Sequence, residues 1–371
     1  MSRNTYAEVN LLNLKNNILF LRKKLQPETK YMAVVKANAY GHGIIEVSKY
    51  IEKEQLVDYL AVAISDEAVL LRKNDVHLPI LILGLSNEES FDEIIKFNNI
   101  MPAITSLDEI EKLNELSIKH SKTVKIHLKI DTGMNRIGFK DIDEFKKALN
   151  YINTHSNIIL DGIFTHFAMS DDPISEYTEE QHKRFQIYLN ELKAYDLHPI
   201  IHCANSGAIL NFPHLQYDMV RGGISMYGYN PNPNSEKCGL KPVLSWKTNI
   251  VYMKKIPCGE TISYGRTYTA DKEITVATLP VGYGDGFSRK VSNTGFVLVN
   301  GHKCRVLGTV CMDQIMCDVT DAEAKIGDEV VIIGNQQGEE ITADLFAKWS
   351  ETISYEVLLN ISGRVPRNYF C

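Results

Sequence analysis

Paired cysteines are missing from this chain. Its seven cysteines (Cys203, Cys238, Cys258, Cys304, Cys311, Cys317 and Cys371) all fall in the second half, and none stands in a Cys-x-x-Cys pair. A disulfide scaffold and a structural zinc ribbon both lose their usual signature. The eleven histidines are scattered without His-Glu-x-x-His spacing, so no metal is expected. No run of ~20 apolar residues occurs. Asn and Lys interrupt the first segment, MSRNTYAEVNLLNLKNN, where a signal peptide would be unbroken. The expected compartment is the cytoplasm, with no membrane partner. Lys and Arg total 40 against 46 for Asp and Glu, a net charge of -6, and no basic run is dense enough to neutralise a phosphate backbone. Nucleic acid is not an expected partner. Fixed-period repeats and low-complexity tracts are absent as well.

What is present is an ordinary globular composition: 371 residues, 44% hydrophobic and 23% charged, long enough for two or three domains or one large barrel with an addition. Short β-branched apolar runs at 31–36, 59–64, 80–83, 101–105, 124–130, 159–167, 200–204 and 217–223 read as eight strands. Between several of them, segments such as GIIEVSKYIEKE and SLDEIEKLNELS place apolar residues every three or four positions with acidic residues early, as amphipathic helices do. The alternation predicts an α/β fold, an N-terminal eight-stranded (β/α)8 TIM-like barrel, with an open doubly wound sheet as the alternative. NPNPNSEK at 230–237 reads as a linker, dividing a barrel domain at 1–235 from a second domain at 236–371. The second domain's runs, separated by Gly, Asn and Asp, predict a mainly antiparallel β-domain.

Active sites of parallel barrels form where the strands end, so a polar residue closing an apolar run is a candidate. Lys36 follows Met-Ala-Val-Val. Burial there would favour a neutral amine suited to Schiff-base formation, and the competing reading is a lysine that snorkels to solvent or pairs across the barrel. The turn Ala37-Asn38-Ala39-Tyr40-Gly41-His42-Gly43 follows, with the Tyr40 phenol available to an anion. Gly282-Tyr283-Gly284-Asp285-Gly286 ends a strand of the second domain and reads as a loop. Asn205-Ser206-Gly207 and Arg221-Gly222-Gly223-Ile224-Ser225 end the seventh and eighth strands with backbone N–H groups and hydroxyls, where barrels often hold phosphate. Turn glycines and an N-cap are the plainer reading. A lysine opposite a phosphate cup suggests pyridoxal phosphate. His166 ends the sixth strand, and Lys129 and Arg136 flank the turn after the fifth, where Arg136 could clamp a carboxylate through two parallel bonds.

Nine blocks in order carry a further signal: AVVKANAYGHG, LKIDTGMNRIG, THFA, HCANSG, MVRGGISMYG, ISYGRTYT, LPVGYGDG, VCMDQ and RVPR. Together they resemble the alanine racemase family, a fold-type III pyridoxal phosphate group, nearly end to end. The resemblance implies pyridoxal 5'-phosphate held by Lys36, with Tyr264 of the other subunit of a homodimer as second acid/base for interconverting L- and D-alanine. It further implies that Arg221 meets the pyridine nitrogen and that His166 bridges Arg221 and Tyr264. Tyr40, Ser206, Gly223 and Ile224 would bind phosphate. Arg136 and the Met312 N–H would take the substrate carboxylate, with Lys129, carboxylated in many relatives, orienting Arg136. Some relatives carry a phosphate-touching tyrosine just before RVPR, a place occupied here by Gly363. A serine-preferring racemase, a related decarboxylase and a non-catalytic pyridoxal phosphate carrier are the alternatives.

Overall fold

The computed structural model describes residues 4–234 and 239–371. The end of the expected linker, the division after residue 235, and Cys238 therefore lie outside the described residues. Asn230–Asn234 is a pair of successive Asx turns, with Asn230 Oδ1 accepting from Asn232 N at 3.0 Å and Asn232 Oδ1 from Asn234 N at 3.0 Å. Two compact units make up the chain: one of residues up to Asn13, Tyr40–Gly43 and Pro242–Cys371, the other of Leu14–Ala39 and Ile44–Lys241.

The second of these carries eight parallel strands, Lys30–Val34, Tyr59–Val62, Ile80–Ile82, Ile100–Ile104, Val124–Lys129, Ile158–Phe164, Ile200–His202 and Met219–Gly222. The first seven pair successively in sequence order, and the first also pairs with the eighth. A doubly wound sheet would reverse its strand order midway, so this order excludes that alternative. The remaining seam, between the seventh and eighth strands, is held by backbone bonds from Asp218 N to Ile201 O (3.1 Å) and from Arg221 N to Ala204 O (2.9 Å). Most residues of these strands are buried, which is why they read as continuous apolar runs without alternation.

The helices follow from local signals. Leu107–His120 starts at a capping box, the Ser106 hydroxyl accepting from Glu109 N while Glu109 reaches back, and it buries Ile110, Leu113 and Ser117 along one face. Helices at Ile44–Lys53, Ser65–Lys73, Glu88–Ile94, Ile142–Thr154, Glu176–Leu192 and Ser206–Asn211 follow the other strands up to the seventh.

The other unit is a sheet whose strands run in the order Tyr252–Ile256, Ile274–Leu279, Ile315–Asp318, His302–Leu307, Phe296–Val299, Glu329–Gln336, Leu244–Asn249, Tyr6–Asn10 and Arg367–Phe370. Its pairs are antiparallel except the last, where Tyr6–Asn10 runs parallel to Arg367–Phe370. Trp246, Phe287 and Phe346 pack its interior at centroid separations of 5.2–6.3 Å. Among the described residues no helix is long and apolar enough to cross a membrane, and no cluster of His, Cys, Asp or Glu could hold a metal ion.

Candidate active site

Parallel register sets the floor of the barrel-end site. Lys129, Phe164 and His202 lie level on neighbouring strands. The Phe164 ring is a shared wall: the Lys129 ammonium and the Arg221 guanidinium each lie 5.4 Å from its centroid, and the His202 ring stacks on it at 4.8 Å.

Arg221 is buried, and its two terminal nitrogens make five bonds, to His202 Nδ1 (2.9 Å), His202 O (3.2 Å), Thr165 O (2.8 Å), Cys203 O (3.0 Å) and His166 Nδ1 (3.3 Å). Among the described residues Nε has no hydrogen-bond partner, so one donor of the fork is left for a ligand. Burial lowers its pKa to about 10, which keeps it charged at neutral pH. Since an arginine only donates, His166 accepts through Nδ1 and carries its proton on Nε2. Burial first, then the charges of Arg221, Lys129, Arg136 and Lys36, hold the His166 pKa well below the usual histidine value, so the ring is neutral. Gln181 fixes the backbone around it, donating to His166 O (3.2 Å) and accepting from Ala168 N (2.9 Å).

Lys36 is half-buried just beyond the first barrel strand. Burial, then Arg136, push its pKa down; Glu67 opposes them and Arg221 adds to the lowering. Four cationic groups thus act on one another, which suits a site for anions. Lys129 is 3% exposed, and burial with Arg221 brings its amine down to about 7. Its Nζ donates to Ile130 O at 2.8 Å. Arg136 projects from an exposed position on a turn pinned by Asp131 Oδ1, which accepts from Gly133 N and Asn135 N at 2.9 and 3.0 Å.

Ser206 and the turn after the eighth strand form a small cup. The Ser206 hydroxyl accepts from Gly223 N (2.9 Å) and Ser225 N (3.4 Å), Ile224 is buried, and Ser225 Oγ is buried with no hydrogen-bond partner among the described residues. An unpartnered buried hydroxyl beside a free arginine donor and a cationic set fits an anionic, phosphate-bearing cofactor. Gly222 is required here: a Cβ would fall 1.7 Å from the Tyr31 hydroxyl.

Ala37, Asn38, Ala39 and Tyr40 all have φ between 51 and 54°, a left-handed turn of four residues with side chains. Each costs about 1–2 kcal/mol relative to the right-handed form. The Asn38 side chain pins the turn by accepting from Ile44 N (2.9 Å). Tyr40 is buried, its ring 6.0 Å from that of Tyr355. No sequence motif marks Tyr355, and Gly363, which stands where some relatives carry a tyrosine, has nothing within 4 Å of the Cβ it lacks.

In the β unit, Tyr264 and Met312 line one cleft of about 590 Å³ with Ser263, Cys311, Asp313 and Gln314. Tyr264 is 73% exposed and Met312 52%. Thr309 Oγ1 donates to Tyr264 O (2.8 Å). The Gly282–Gly286 loop is a brace: Gly284 N donates to Met312 O (2.9 Å), Tyr283 N to Cys311 O (3.0 Å), and the buried Asp285 carboxylate accepts from Gly282 N (3.1 Å). A Cβ on Gly282 would meet the Cys311 and Met312 carbonyls at 2.3 Å, a constraint only the folded loop reveals.

The sequence matches the family described as alanine racemase, N-terminal domain, over residues 9–231 and alanine racemase, C-terminal domain, over 243–369. It is 42% identical over 375 residues to the alanine racemase of Halothermothrix orenii, covering 100% of this chain and 97% of that protein. Among solved structures, an alanine racemase of Clostridium difficile 630 superposes with a TM-score of 0.94 at 40% identity, covering 100% of this chain and 96% of that one. A histidine racemase of Leuconostoc mesenteroides superposes with a TM-score of 0.92 at 28% identity, covering 100% and 99%.

Proposed function

The chain belongs to the alanine racemase family and is an amino-acid racemase, and from that premise we propose that it interconverts L-alanine and D-alanine with pyridoxal 5'-phosphate, in the cytoplasm, supplying D-alanine for peptidoglycan. The observation that carries this reading is the convergence of Lys36, Lys129, Arg136, His166 and Arg221 at one end of the barrel, beside the Ser206–Gly223–Ile224 cup.

Pyridoxal phosphate, when bound, supplies an electron sink for the pair left at the substrate Cα. The protein's residues do the rest. Lys36 anchors the group covalently, and its lowered pKa makes the amine available to hold or give a proton. Ser206, Gly223, Ile224 and Tyr40 bind the phosphate. Arg221 offers a donor and no acidic proton to the ring nitrogen, which keeps that nitrogen unprotonated and moderates the sink. Arg136, with Lys129 near it, and the Met312 N–H orient the substrate carboxylate.

Inversion needs proton transfer on both faces of Cα, and one lysine reaches one face. We assign the second face to Tyr264 of the partner subunit. A homodimer is the arrangement we propose, the barrel region (1–235) of one chain holding the cofactor and the β region (236–371) completing its partner's site. The exposure of Tyr264 and Met312 on one cleft supports this. To His166, whose Nε2–H can donate, we assign the orienting of that phenol.

A chiral assay offering L-alanine, L-serine and L-histidine tests the substrate. Racemisation fastest on alanine supports the reading. Faster turnover of serine or histidine would replace alanine with that substrate, and release of CO2 would mark a decarboxylase.

A further inference from the structure

Behind Arg221 a line of hydrogen bonds leaves the site and crosses the barrel wall. His202 Nδ1 meets Arg221 at 2.9 Å, His202 Nε2 meets His127 Nδ1 at 2.9 Å, and His127 Nε2 meets Asp161 Oδ2 at 3.3 Å. Both imidazoles are completely buried. Lys125 Nζ donates to the other oxygen of Asp161 at 2.6 Å, and the Tyr59 hydroxyl donates to Oδ2 at 3.4 Å.

Donor and acceptor chemistry permits one reading of this line. Arginine only donates, so His202 Nδ1 must accept and its proton sits on Nε2. That proton is then given to His127 Nδ1, which fixes the His127 proton on Nε2, facing the carboxylate. An imidazolium at either place would set two N–H groups against each other. Burial lowers the pKa of His127, with Asp161 opposing, and that of His202, with Arg221, His127 and Lys129 assisting. For Asp161, burial raises the pKa and the bonds from His127 and Lys125 outweigh it, leaving a carboxylate near 2.

The wall is shaped for the line. The register between the fifth and sixth strands shifts here, Ile126 facing Leu160 and His127 facing Gly162, so Asp161 is the extra residue of a bulge. At Gly162 a Cβ would fall 2.2 Å from His127 Nδ1, so only glycine admits the ring. A bulge and a glycine spent on two imidazoles in a parallel barrel are costly choices for packing alone.

We propose that Asp161 is the counter-charge of Arg221, transmitted through His127 and His202 held as neutral Nε2–H tautomers, and that these three are positioning residues for the arginine. None of Arg221's bonded partners is a carboxylate, and the line gives its buried charge a distant one.

Protein labelled with 15N-histidine, read by long-range 1H–15N correlation, tests the tautomers without regard to catalysis. His127→Gln and His202→Gln assign the two signals. Both rings are expected with Nδ1 bare and Nε2 protonated, unchanged from about pH 6 to about pH 8. An Nδ1–H tautomer or an imidazolium at either position overturns the proposal. The second arm rests on the proposed racemisation: Asp161→Asn keeps an acceptor oxygen and loses the charge, and should lower kcat roughly tenfold with KM within about twofold. An unchanged kcat overturns the counter-charge role. Wild-type protein inactive on every amino acid offered would overturn the proposed reaction, while the tautomers decide the relay in either case.

Discussion

The barrel end and the β-unit cleft hold two unlike sets of candidate residues. Arg221 and Lys129 are each 3% exposed, and the charges around them move one another's proton affinities. Tyr264 and Met312, in contrast, are 73% and 52% exposed and held in place through backbone carbonyls. A group meant to tune electrostatics must be desolvated within its own fold, because water would screen it. A group meant to meet a ligand assembled elsewhere is best held by its backbone with its side chain outward. In the proposed reaction, the difference in burial corresponds to a difference of task.

The sharpest break of this contrast is to remove one proposed acid/base from each set. Lys36→Ala and Tyr264→Phe should each lower racemisation by roughly 10³-fold or more. Mixed in equal amounts with subunit exchange, they should recover to about a quarter of wild-type activity per chain, since about half the dimers would own one intact site. Absence of recovery despite proven heterodimers would place both residues in one chain's site.

Next in size is Arg221→Glu, which offers the ring nitrogen a group that can hydrogen-bond its protonated form. Racemisation should slow by about 10²-fold while pyruvate from transamination rises. Equal reaction specificity in wild type and variant would remove Arg221 from the ring nitrogen. Ser206→Ala takes the acceptor from Gly223 N and Ser225 N, and should weaken binding of pyridoxal phosphate by roughly tenfold in an absorbance titration. An unchanged affinity would leave the cup without a role.

Lys129 tests burial through pH. Its folded pKa of about 7 lies below its ordinary value of 10.5, so between the two the native state binds fewer protons than the unfolded chain. Stability must rise with pH across that window, the penalty being full below about pH 7 and gone above about pH 10. In CO2-depleted buffer near pH 6, Lys129→Met should raise the melting temperature by roughly 2–4 °C. A melting temperature insensitive to the substitution would contradict a buried, uncompensated amine. The smallest effect is expected at Gly363→Ala, where open space allows a methyl group: stability should move by less than ~0.5 kcal/mol and KM for alanine stay level.

Much of this was readable from local pattern. Strands buried on both faces declare themselves as unbroken β-branched runs, and the polar residues that close them, Lys36, His166 and Arg221, stand out because their burial needs a reason. The helix at Leu107–His120 is written in Ser106, Glu109 and its apolar spacing. The family blocks marked Tyr264 and Met312, which no periodicity singles out.

Tertiary structure alone decided the rest. That Tyr6–Asn10 joins the far sheet, that Tyr355 lies on Tyr40, and that the Gly282 loop braces Met312 are outcomes of pairing across hundreds of positions. The line from Arg221 through His202 and His127 to Asp161 depends on register, and a one-residue bulge at Asp161 sets it. Composition and periodicity record how each segment prefers to fold and what it costs to bury. Which distant side chain satisfies a buried donor is fixed only when the strands close, because hydrogen bonds act over about 3 Å and sequence distance carries no such information.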